Sequence, residues 1–318
     1  MSHPMNASMT PLPVFDLSAW MQGRLDDVEQ GLSRWVGVDA PALLGEAMRY
    51  AVLDGGKRLR PLLVLAASDA VDGLRAAALR AACAAELVHA YSLVHDDMPC
   101  MDNDVLRRGK PTVHVQFGEA QALLAGDALQ ALAFELLVPL RPEDAPAAAN
   151  DEADIPAAMQ ARLCSLLARA AGAQGMAGGQ AIDLASVGLQ LSEDQLRQMH
   201  RLKTGALLQG SVLMGAACGS VSDSARSALS EYGAALGLAF QVVDDILDVV
   251  ADSATLGKTA GKDAANDKPT YVSLMGLEGA RAYADSLAAQ AQAALARSGL
   301  ADTRALSALA DQVIRRSH

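Results

Sequence analysis

The segment 75–98 constrains the fold most strongly, because it joins a long apolar helix pattern to an acidic end. Apolar residues recur along it at helical spacing: Leu79, Cys83, Leu87, Ala90 and Val94. Proline stops a helix, and Pro99 does so here within the sequence HDDMPCMDND at 95–104. The pattern predicts one long, largely buried helix whose end carries a cluster of aspartates.

The remainder of the chain also favours helices. Ala and Leu dominate it and aromatic residues make up only 3%, so good strand formers are scarce. Residues 1–14 are predicted to form a loose tail, and 141–157, rich in Pro, Ala and acidic residues, a surface loop. We predict an all-α fold, a large single-domain helical bundle over residues 1–318. Further helical patterns occupy 41–53, 60–70, 118–138, 158–175, 192–219, 222–250, 270–297 and 301–315.

Charge and composition exclude several classes of function. The formal net charge of −11 argues against nucleic acid as the partner, because a phosphate backbone needs a basic face. No uninterrupted apolar stretch approaches the roughly 20 residues of a membrane span. The four cysteines are widely spaced without a CxxC pair, which argues against disulfides and zinc. The first basic residue is Arg24, so the N-terminus lacks the positively charged segment that begins a secretory signal peptide. We therefore expect a cytoplasmic protein.

A second acidic motif lies in the apolar run AALGLAFQVVDDILDVV at 234–250. Asp244 and Asp248 are four residues apart and share a helix face. In the first motif Asp96 and Asp102 are six apart, and Pro99 lets the chain leave the helix so that Asp102 can return beside Asp96. Buried carboxylates need a counter-charge, which Mg²⁺ supplies while taking substrate phosphates as further ligands. One cluster could be a solvated helix end, but two predict a clamp for a diphosphate.

Basic residues accompany these acidic motifs. Arginine matches phosphate oxygens in pairs and lysine acts as a point charge. Any one of them alone could be an ordinary surface charge. The candidates lie in the turn GGKRLRP at 55–61, directly after the first acidic motif, and further along the chain: Lys57, Arg60, Arg107, Arg108, Lys203, Lys258 and Lys268.

Four other polar residues lie near these motifs and each has a purely structural alternative. His89 precedes Asp96 by seven residues on roughly the same helix face, and Gln241 precedes Asp244 by almost one turn. Either could be a buried, hydrogen-bonded side chain. Gln180 and Asp183, in GGQAIDL, could belong to a helix-breaking turn and nothing more.

Taken together, these segments resemble the trans-isoprenyl diphosphate synthase family, and within it the bacterial-type farnesyl diphosphate synthases. The resemblance runs from about residue 40 to about 277 in the family's order and spacing. The matching segments are GGKRLRP at 55–61, HDDMPCMDND at 95–104, LRRGKPT at 106–112, GDAL at 126–129, GGQAIDL at 178–184, KTGAL at 203–207, FQVVDDILD at 240–248, GKTAGKD at 257–263 and DKPTY at 267–271.

The resemblance implies an all-α bundle around a deep central cavity, a homodimer, and Mg²⁺ as cofactor, with three ions. It implies a transferase that condenses isopentenyl diphosphate with dimethylallyl or geranyl diphosphate to give farnesyl diphosphate, through ionisation, condensation and proton elimination. The implied metal ligands are Asp96, Asp102 and Asp244. Isopentenyl diphosphate would be bound by Lys57, Arg60, His89 and Arg108, and the allylic diphosphate by Arg107, Lys203 and Lys258.

The resemblance also assigns residues around the reacting carbon. The Thr204 carbonyl and Gln241, together with Lys203, would face the developing allylic cation. Tyr91 lies five residues before Asp96, about 7.5 Å nearer the start of the helix at roughly 1.5 Å per residue. An aromatic ring at that depth would form a floor that stops the growing chain at the farnesyl length. An ordinary core aromatic is the alternative.

Several other functions stay open. A geranylgeranyl or geranyl diphosphate synthase is the first alternative. A class I terpene cyclase shares one acidic motif but leaves GGKRLRP and Arg108 unexplained. A non-catalytic synthase subunit tends to lose its acidic motifs, which are whole here. A di-iron carboxylate bundle needs several Glu-x-x-His pairs, and Glu86 with His89 is the only one.

Overall fold

The computed structural model describes residues 15–53, 55–139, 155–250 and 270–315, and these are almost entirely helical. The predicted all-α fold is therefore confirmed. The α-helices are α1 (Leu17–Trp35), α2 (Leu44–Val52), α3 (Leu59–Asp69), α4 (Arg75–Asp96), α5 (Val113–Phe117), α6 (Glu119–Leu137), α7 (Ala157–Ala171), α8 (Met176–Ala185), α9 (Glu193–His200), α10 (Ala206–Ala217), α11 (Asp223–Val250), α12 (Tyr271–Arg297) and α13 (Arg304–Arg315).

Several elements differ from the sequence-based expectation, and neither α1 nor the short α5 was among the predicted helices. The predicted helix 192–219 is interrupted, because a π-helix (Arg201–Gly205) joins α9 to α10. The segment around GGQAIDL is helix α8 and no helix-breaking turn. Strands β1 (Leu106–Arg107) and β2 (Lys110–Pro111) form a small antiparallel pair, which is too short to leave a period-two pattern in the sequence.

Helix α4 lies at the centre of the bundle. Nearly all its residues from 77 to 94 are buried, and it packs against α1, α3, α6 and α10. Many of these residues are alanines, which cost no side-chain entropy and let neighbouring helices approach. Helices α3, α10, α11 and α13 share a second apolar cluster, and α9, α11 and α12 a third. The two acidic motifs thus lie on α4 and α11, two long and largely buried helices of this part of the chain.

Local signals define where several helices begin. Asp16 caps α1 by accepting a hydrogen bond from the amide of Ala19 at 3.0 Å. Capping boxes start α9 at Ser192 and α12 at Thr270. Ala157 already belongs to α7, so the predicted surface loop 141–157 is shorter at its end, while 141–154 and the predicted tail 1–14 lie outside the described residues.

Two helices of the described chain are long and apolar enough to cross a membrane, by length and composition only. Neither contains an uninterrupted apolar run of the roughly 20 residues that a membrane span needs. In α4, 78% of the most apolar window is buried inside the bundle, as expected of a core helix. In α6 the buried share is 39%, so part of its apolar surface is left uncovered by the chain.

Candidate active site

Two adjoining chambers open between α4, α8, the π-helix and α11. The polar chamber, of about 320 Å³, is lined by aspartates of both acidic motifs. The second chamber, of about 380 Å³, presents a mainly apolar surface, to which Leu93 of α4 and Met176 and Leu184 of α8 contribute. Both are bordered by Asp96, Lys203 and Thr204. The structure therefore places a charged compartment beside an apolar one.

The first acidic motif folds back on the end of α4. The amide of Asp102 donates to the carbonyl of Asp96 at 2.8 Å, and that of Asp104 donates to the carbonyl of Asp97 at 3.1 Å. Asn103, at φ 51°, makes the tight return. Asp96 and Asp102 thus come together on one side of the polar chamber, as the position of Pro99 predicts.

Asp97 and Arg107 form a bidentate pair beside this loop. Arg107 Nε lies 2.9 and 2.8 Å from the two carboxylate oxygens of Asp97, and Nη2 lies 2.6 Å from Oδ1. Burial lowers the pKa of Arg107, but hydrogen bonds and attraction from Asp97 outweigh it, so the pKa is raised. Arg107 lines the polar chamber with its orientation already set by a buried carboxylate.

The electrostatics of the polar chamber fit a divalent cation. Burial, reinforced by Asp102 and Asp97 against the attraction of Lys203, raises the pKa of Asp96 to about 6. Asp244 reaches the same chamber from α11. Among the described residues, no three His, Cys, Asp or Glu stand close enough to hold a metal by themselves. Mg²⁺ commonly takes one or two carboxylates and completes its shell with water and substrate phosphates, and this donor set suits it.

The π-helix carries Lys203 and Thr204 into both chambers. π-Helical turns are rare and frequently occur at functional sites. Lys203 Nζ donates to the buried Asp183 Oδ2 of α8 at 2.5 Å. Thr204 Oγ1 donates to Gln241 Oε1 of α11 at 3.0 Å. Side chains from α8, the π-helix and α11 are therefore linked around the place where the chambers meet.

The turn before α3 is held by a buried arginine. Arg58 adopts a left-handed conformation and is 3% exposed. Its guanidinium donates to Glu29 Oε1, to Glu86 Oε1 and to the carbonyl of Val52, each at 2.7 Å. The turn is thereby tied to both α1 and α4. Charge pairs this buried act as fixed anchors, since removal of one partner leaves an uncompensated charge.

Arg60 and His89 both line the two chambers. Burial lowers the pKa of Arg60 to about 10, although Glu86 opposes the shift. Burial and the nearby arginines hold the pKa of His89 well below its usual range, so its ring is neutral. Arg60 Nε is buried without a hydrogen-bond partner among the described residues. An anionic ligand would supply that partner.

The other predicted cations lie at different depths. Arg108 folds back on the turn, where it donates to the carbonyl of Gly55. Gly56 has φ 137°, which favours glycine, whereas the contact that a Cβ there would make, 2.9 Å from the Arg108 guanidinium, is with the end of a flexible side chain. Lys57 is exposed beside this contact and outside the chamber lining. Lys258 and Lys268 lie outside the described residues.

Tyr91 and Ser92 line the apolar chamber, five and four residues before Asp96 on α4. Tyr91 is 9% exposed, and its ring lies edge-on to His95 at 5.7 Å. Its hydroxyl bonds to Gln130 of α6. A chain entering from the polar chamber would therefore meet this ring inside the apolar one.

The sequence analysis gave no positioning role to Asp183, Arg58 or Asp97, although it named Asp183 as a candidate, and each of the three holds a neighbouring group in place. The GGQAIDL match contained the signal for Asp183, and GGKRLRP that for Arg58. Neither motif indicates which residue pairs with it. Asp183 and Lys203 are 20 residues apart in the sequence, and Arg58 and Glu86 are 28 apart.

Comparison with known proteins gives a consistent result. The polyprenyl synthetase family model matches residues 41–303. The chain is 45% identical over 316 residues to a farnesyl diphosphate synthase of Escherichia coli, covering 95% of this chain and 99% of the relative. It is 44% identical over 294 residues to that of Geobacillus stearothermophilus, covering 92% and 95%. A chloroplastic geranylgeranyl pyrophosphate synthase of Catharanthus roseus is 43% identical over 305 residues, covering 96% and 82%.

Solved structures agree. An FPP/GFPP synthase of Zymomonas mobilis superposes with a TM-score of 0.81 at 40% identity, over 93% of this chain and 98% of that one. A geranylgeranyl pyrophosphate synthetase of Pyrococcus horikoshii gives a TM-score of 0.82 at 31% identity, over 94% and 98%.

Proposed function

We propose that this chain, which belongs to the polyprenyl synthetase family, is a transferase that joins isopentenyl diphosphate to an allylic diphosphate and stops at farnesyl diphosphate. One observation carries the proposal: aspartates of both acidic motifs and the cations Arg60, Arg107 and Lys203 line a single polar chamber beside an apolar one. Carboxylates and cations together suit a metal-bound diphosphate, and the apolar chamber suits a prenyl chain.

The residues divide between two substrates. Lys203, Arg107 and Lys258 would hold the allylic diphosphate, and Lys57, Arg60, His89 and Arg108 would hold isopentenyl diphosphate. Neutral His89 can donate one hydrogen bond to a phosphate oxygen, and the unpartnered Arg60 Nε can donate another. Two anionic groups would then lie on opposite sides of the chamber with their apolar parts in contact.

Ionisation of the allylic carbon–oxygen bond would leave an allylic cation and free pyrophosphate. Lys203 and Arg107 would stabilise the departing pyrophosphate, while the Thr204 carbonyl and Gln241 would face the cation. The double bond of isopentenyl diphosphate would then attack, and the proton lost from the product would pass to the pyrophosphate. Apolar walls would keep water from the cation.

We propose Mg²⁺, as three ions, for the carboxylates Asp96, Asp102 and Asp244. Bound there, Mg²⁺ would offset the charge of the diphosphate and of the carboxylates. The raised pKa of Asp96 supports this, because crowded buried carboxylates lack a counter-charge.

We propose Tyr91 as the floor that sets product length. Its ring lines the apolar chamber, five residues before Asp96 on α4, and a lengthening chain that ran along this helix from Asp96 would arrive there. Relatives include farnesyl and geranylgeranyl synthases, so the length depends on local features of this kind.

We propose that a second copy of the chain covers α6. This helix contains no Lys or Arg, and it exposes Leu123 at 47% and Leu124 at 52%. A helix that is apolar on all sides normally lies inside a protein, and an exposed apolar face marks an interface. Sedimentation should give a dimer, and Leu124→Glu should give monomers. A monomeric wild type would contradict this.

The single-domain organisation and the cytoplasmic location stay predictions.

The deciding experiment incubates purified protein and Mg²⁺ with isopentenyl diphosphate and, separately, dimethylallyl, geranyl or farnesyl diphosphate. We expect farnesyl diphosphate from the first two starters and little extension of the third. EDTA should abolish turnover and added Mg²⁺ should restore it. Extension of the third starter would indicate a geranylgeranyl synthase. Consumption of farnesyl diphosphate alone would indicate a cyclase, and no turnover at all a non-catalytic subunit.

A further inference from the structure

A chain of hydrogen bonds leads away from the place where the allylic cation would form. Thr204 Oγ1 donates to Gln241 Oε1 at 3.0 Å, and Gln241 Nε2 donates to Asp245 Oδ1 at 2.9 Å. The second carboxylate oxygen, Asp245 Oδ2, accepts the amide of Tyr271 at 2.8 Å. Asp245 is 2% exposed, and each of its oxygens receives an N–H, as a buried carboxylate requires.

This arrangement determines which way the Gln241 amide points. An amide group has a donor end and an acceptor end, and the two can exchange places by a half-turn. An ionised carboxylate only accepts hydrogen bonds, so the nitrogen end must face Asp245. The hydroxyl of Thr204 can donate or accept and cannot choose between the two orientations. Asp245 therefore leaves the oxygen of Gln241 at the chamber side.

We propose that Asp245 is a positioning residue that acts through Gln241 and holds the amide oxygen toward the carbon that becomes cationic. The inference rests on the proposed prenyl transfer. A dipole fixed in advance stabilises a developing charge without reorganising during the reaction. The two adjacent aspartates then have different roles. Both line the polar chamber, but the buried Asp245 also accepts a hydrogen bond from Gln241, one helical turn earlier on α11.

A purely structural role is the competing explanation. Tyr271 is the first residue of α12, and a carboxylate at a helix N-terminus is stabilising. Loss of Asp245 could therefore slow the reaction by loosening α12. The two roles separate if the amide orientation is changed and then restored while the charge at position 245 stays absent.

The test compares Asp245→Asn with the double variant Asp245→Asn/Gln241→Glu. In the single variant an asparagine oxygen can still accept from Tyr271, which leaves its NH₂ facing Gln241 and turns the glutamine nitrogen toward the chamber. We expect kcat to fall at least about tenfold, with KM for both substrates changed less than about threefold.

In the double variant the asparagine NH₂ donates to the new carboxylate, whose other oxygen again faces the chamber. The three hydrogen bonds that link Thr204, position 241, position 245 and Tyr271 are then all present, and the net charge is that of the wild type. We expect kcat at least about fivefold above the single variant. An unchanged kcat in Asp245→Asn overturns the inference. A double variant no faster than the single one also overturns it and assigns Asp245 to α12. If Asp245→Asn alone fails to fold, the double variant decides: near-wild-type kcat supports the inference, and loss of turnover overturns it.

A second measurement does not depend on turnover. An allylic diphosphate analogue with an ammonium in place of the ionising carbon mimics the cation, and an uncharged isostere does not. Wild type should prefer the ammonium analogue, and Asp245→Asn should lose most of that preference while binding the neutral analogue equally well. Equal preference in both proteins overturns the inference alone. A wild type that neither turns over prenyl diphosphates nor binds either analogue overturns the proposed function and the inference with it.

Discussion

Gly179 lies where α8 crosses the π-helix that carries Lys203, and its replacement by alanine should slow the reaction without unfolding the protein. A Cβ at this position would stand 2.0 Å from the backbone nitrogen of Lys203 and 2.4 Å from its Cα. Both are backbone atoms, which cannot turn aside as a flexible side chain can. The two elements must therefore move apart.

The required movement is large compared with the tolerance of a catalytic site. Ordinary contact between such atoms is about 3.5 Å, so the π-helix and α8 would have to separate by about 1.5 Å. Overpacking of this kind costs about 1–3 kcal/mol, while alanine in a helix gains about 1 kcal/mol over glycine. The net loss of stability should be about 0–2 kcal/mol. A shift of about 1 Å in a positioned group can cost about 10²-fold in rate.

The assay measures kcat/KM for prenyl transfer and the free energy of unfolding in urea. Gly179→Ala should lose about 10²-fold in kcat/KM and remain folded. Gly23→Ala is the matched control, because Gly23 is exposed in α1 and no atom lies within 4 Å of the position that a methyl group would take; it should be as active as wild type and about 0.5–1 kcal/mol more stable. A Gly179→Ala variant that is stabilised like the control and fully active would refute the reasoning.

Four further outcomes follow from the site. Asp96→Ala or Asp244→Ala should lower kcat by about 10³-fold or more with the helical circular dichroism unchanged; normal turnover would contradict a shared clamp. Arg60→Met should raise KM for isopentenyl diphosphate about tenfold or more and that for geranyl diphosphate far less; equal effects would point to a structural role. Tyr91→Ala should cost a few kcal/mol of stability and shift the product from farnesyl to longer chains on chromatography; an unchanged product would reject the floor. Burial lowers the pKa of His200 to about 4, so the unfolded chain binds a proton there first. Stability should therefore be full above about pH 6.5 and fall by up to about 3 kcal/mol toward pH 4; His200→Phe should flatten this decline in urea titrations, and an unchanged slope would contradict it.

The helices that were predicted well are those whose own sequence repeats apolar residues at helical spacing. Helix α4 repeats apolar residues at helical spacing, and its end at Asp96 agrees with a proline three residues later. Helix α8 was not predicted, because Gly178 and Gly179 have poor helix propensity. The structure gives the reason for Gly179: the contact with Lys203 leaves no room for a side chain. Packing between α8 and the π-helix requires this glycine, and no local sequence pattern indicates such a contact.

The composition of the site was predictable to a similar degree, while its internal geometry was not. Spacing alone indicated two acidic clusters and the return of Asp102 to Asp96. The π-helix that presents Lys203 leaves no signature, because it differs from an α-helix only in which carbonyl each amide reaches. The pairing of Lys203 with Asp183 depends on how α8 packs, which is a property of the assembled bundle.

A chain of net charge −11 that binds two diphosphates must keep its cations in place, and the structure shows how. Lys203 is held by Asp183, and Arg107 by Asp97, each through a buried carboxylate behind the cation. Such pairing orients the cation before substrate arrives but also satisfies part of its charge. Arg60 differs, because burial lowers its pKa to about 10 and its Nε has no partner among the described residues. A buried donor without a partner costs about 1–3 kcal/mol, which a phosphate oxygen would recover. Arg60 is therefore the cation that substrate binding should stabilise most. Its removal should raise KM for isopentenyl diphosphate more than the removal of exposed Lys57 does.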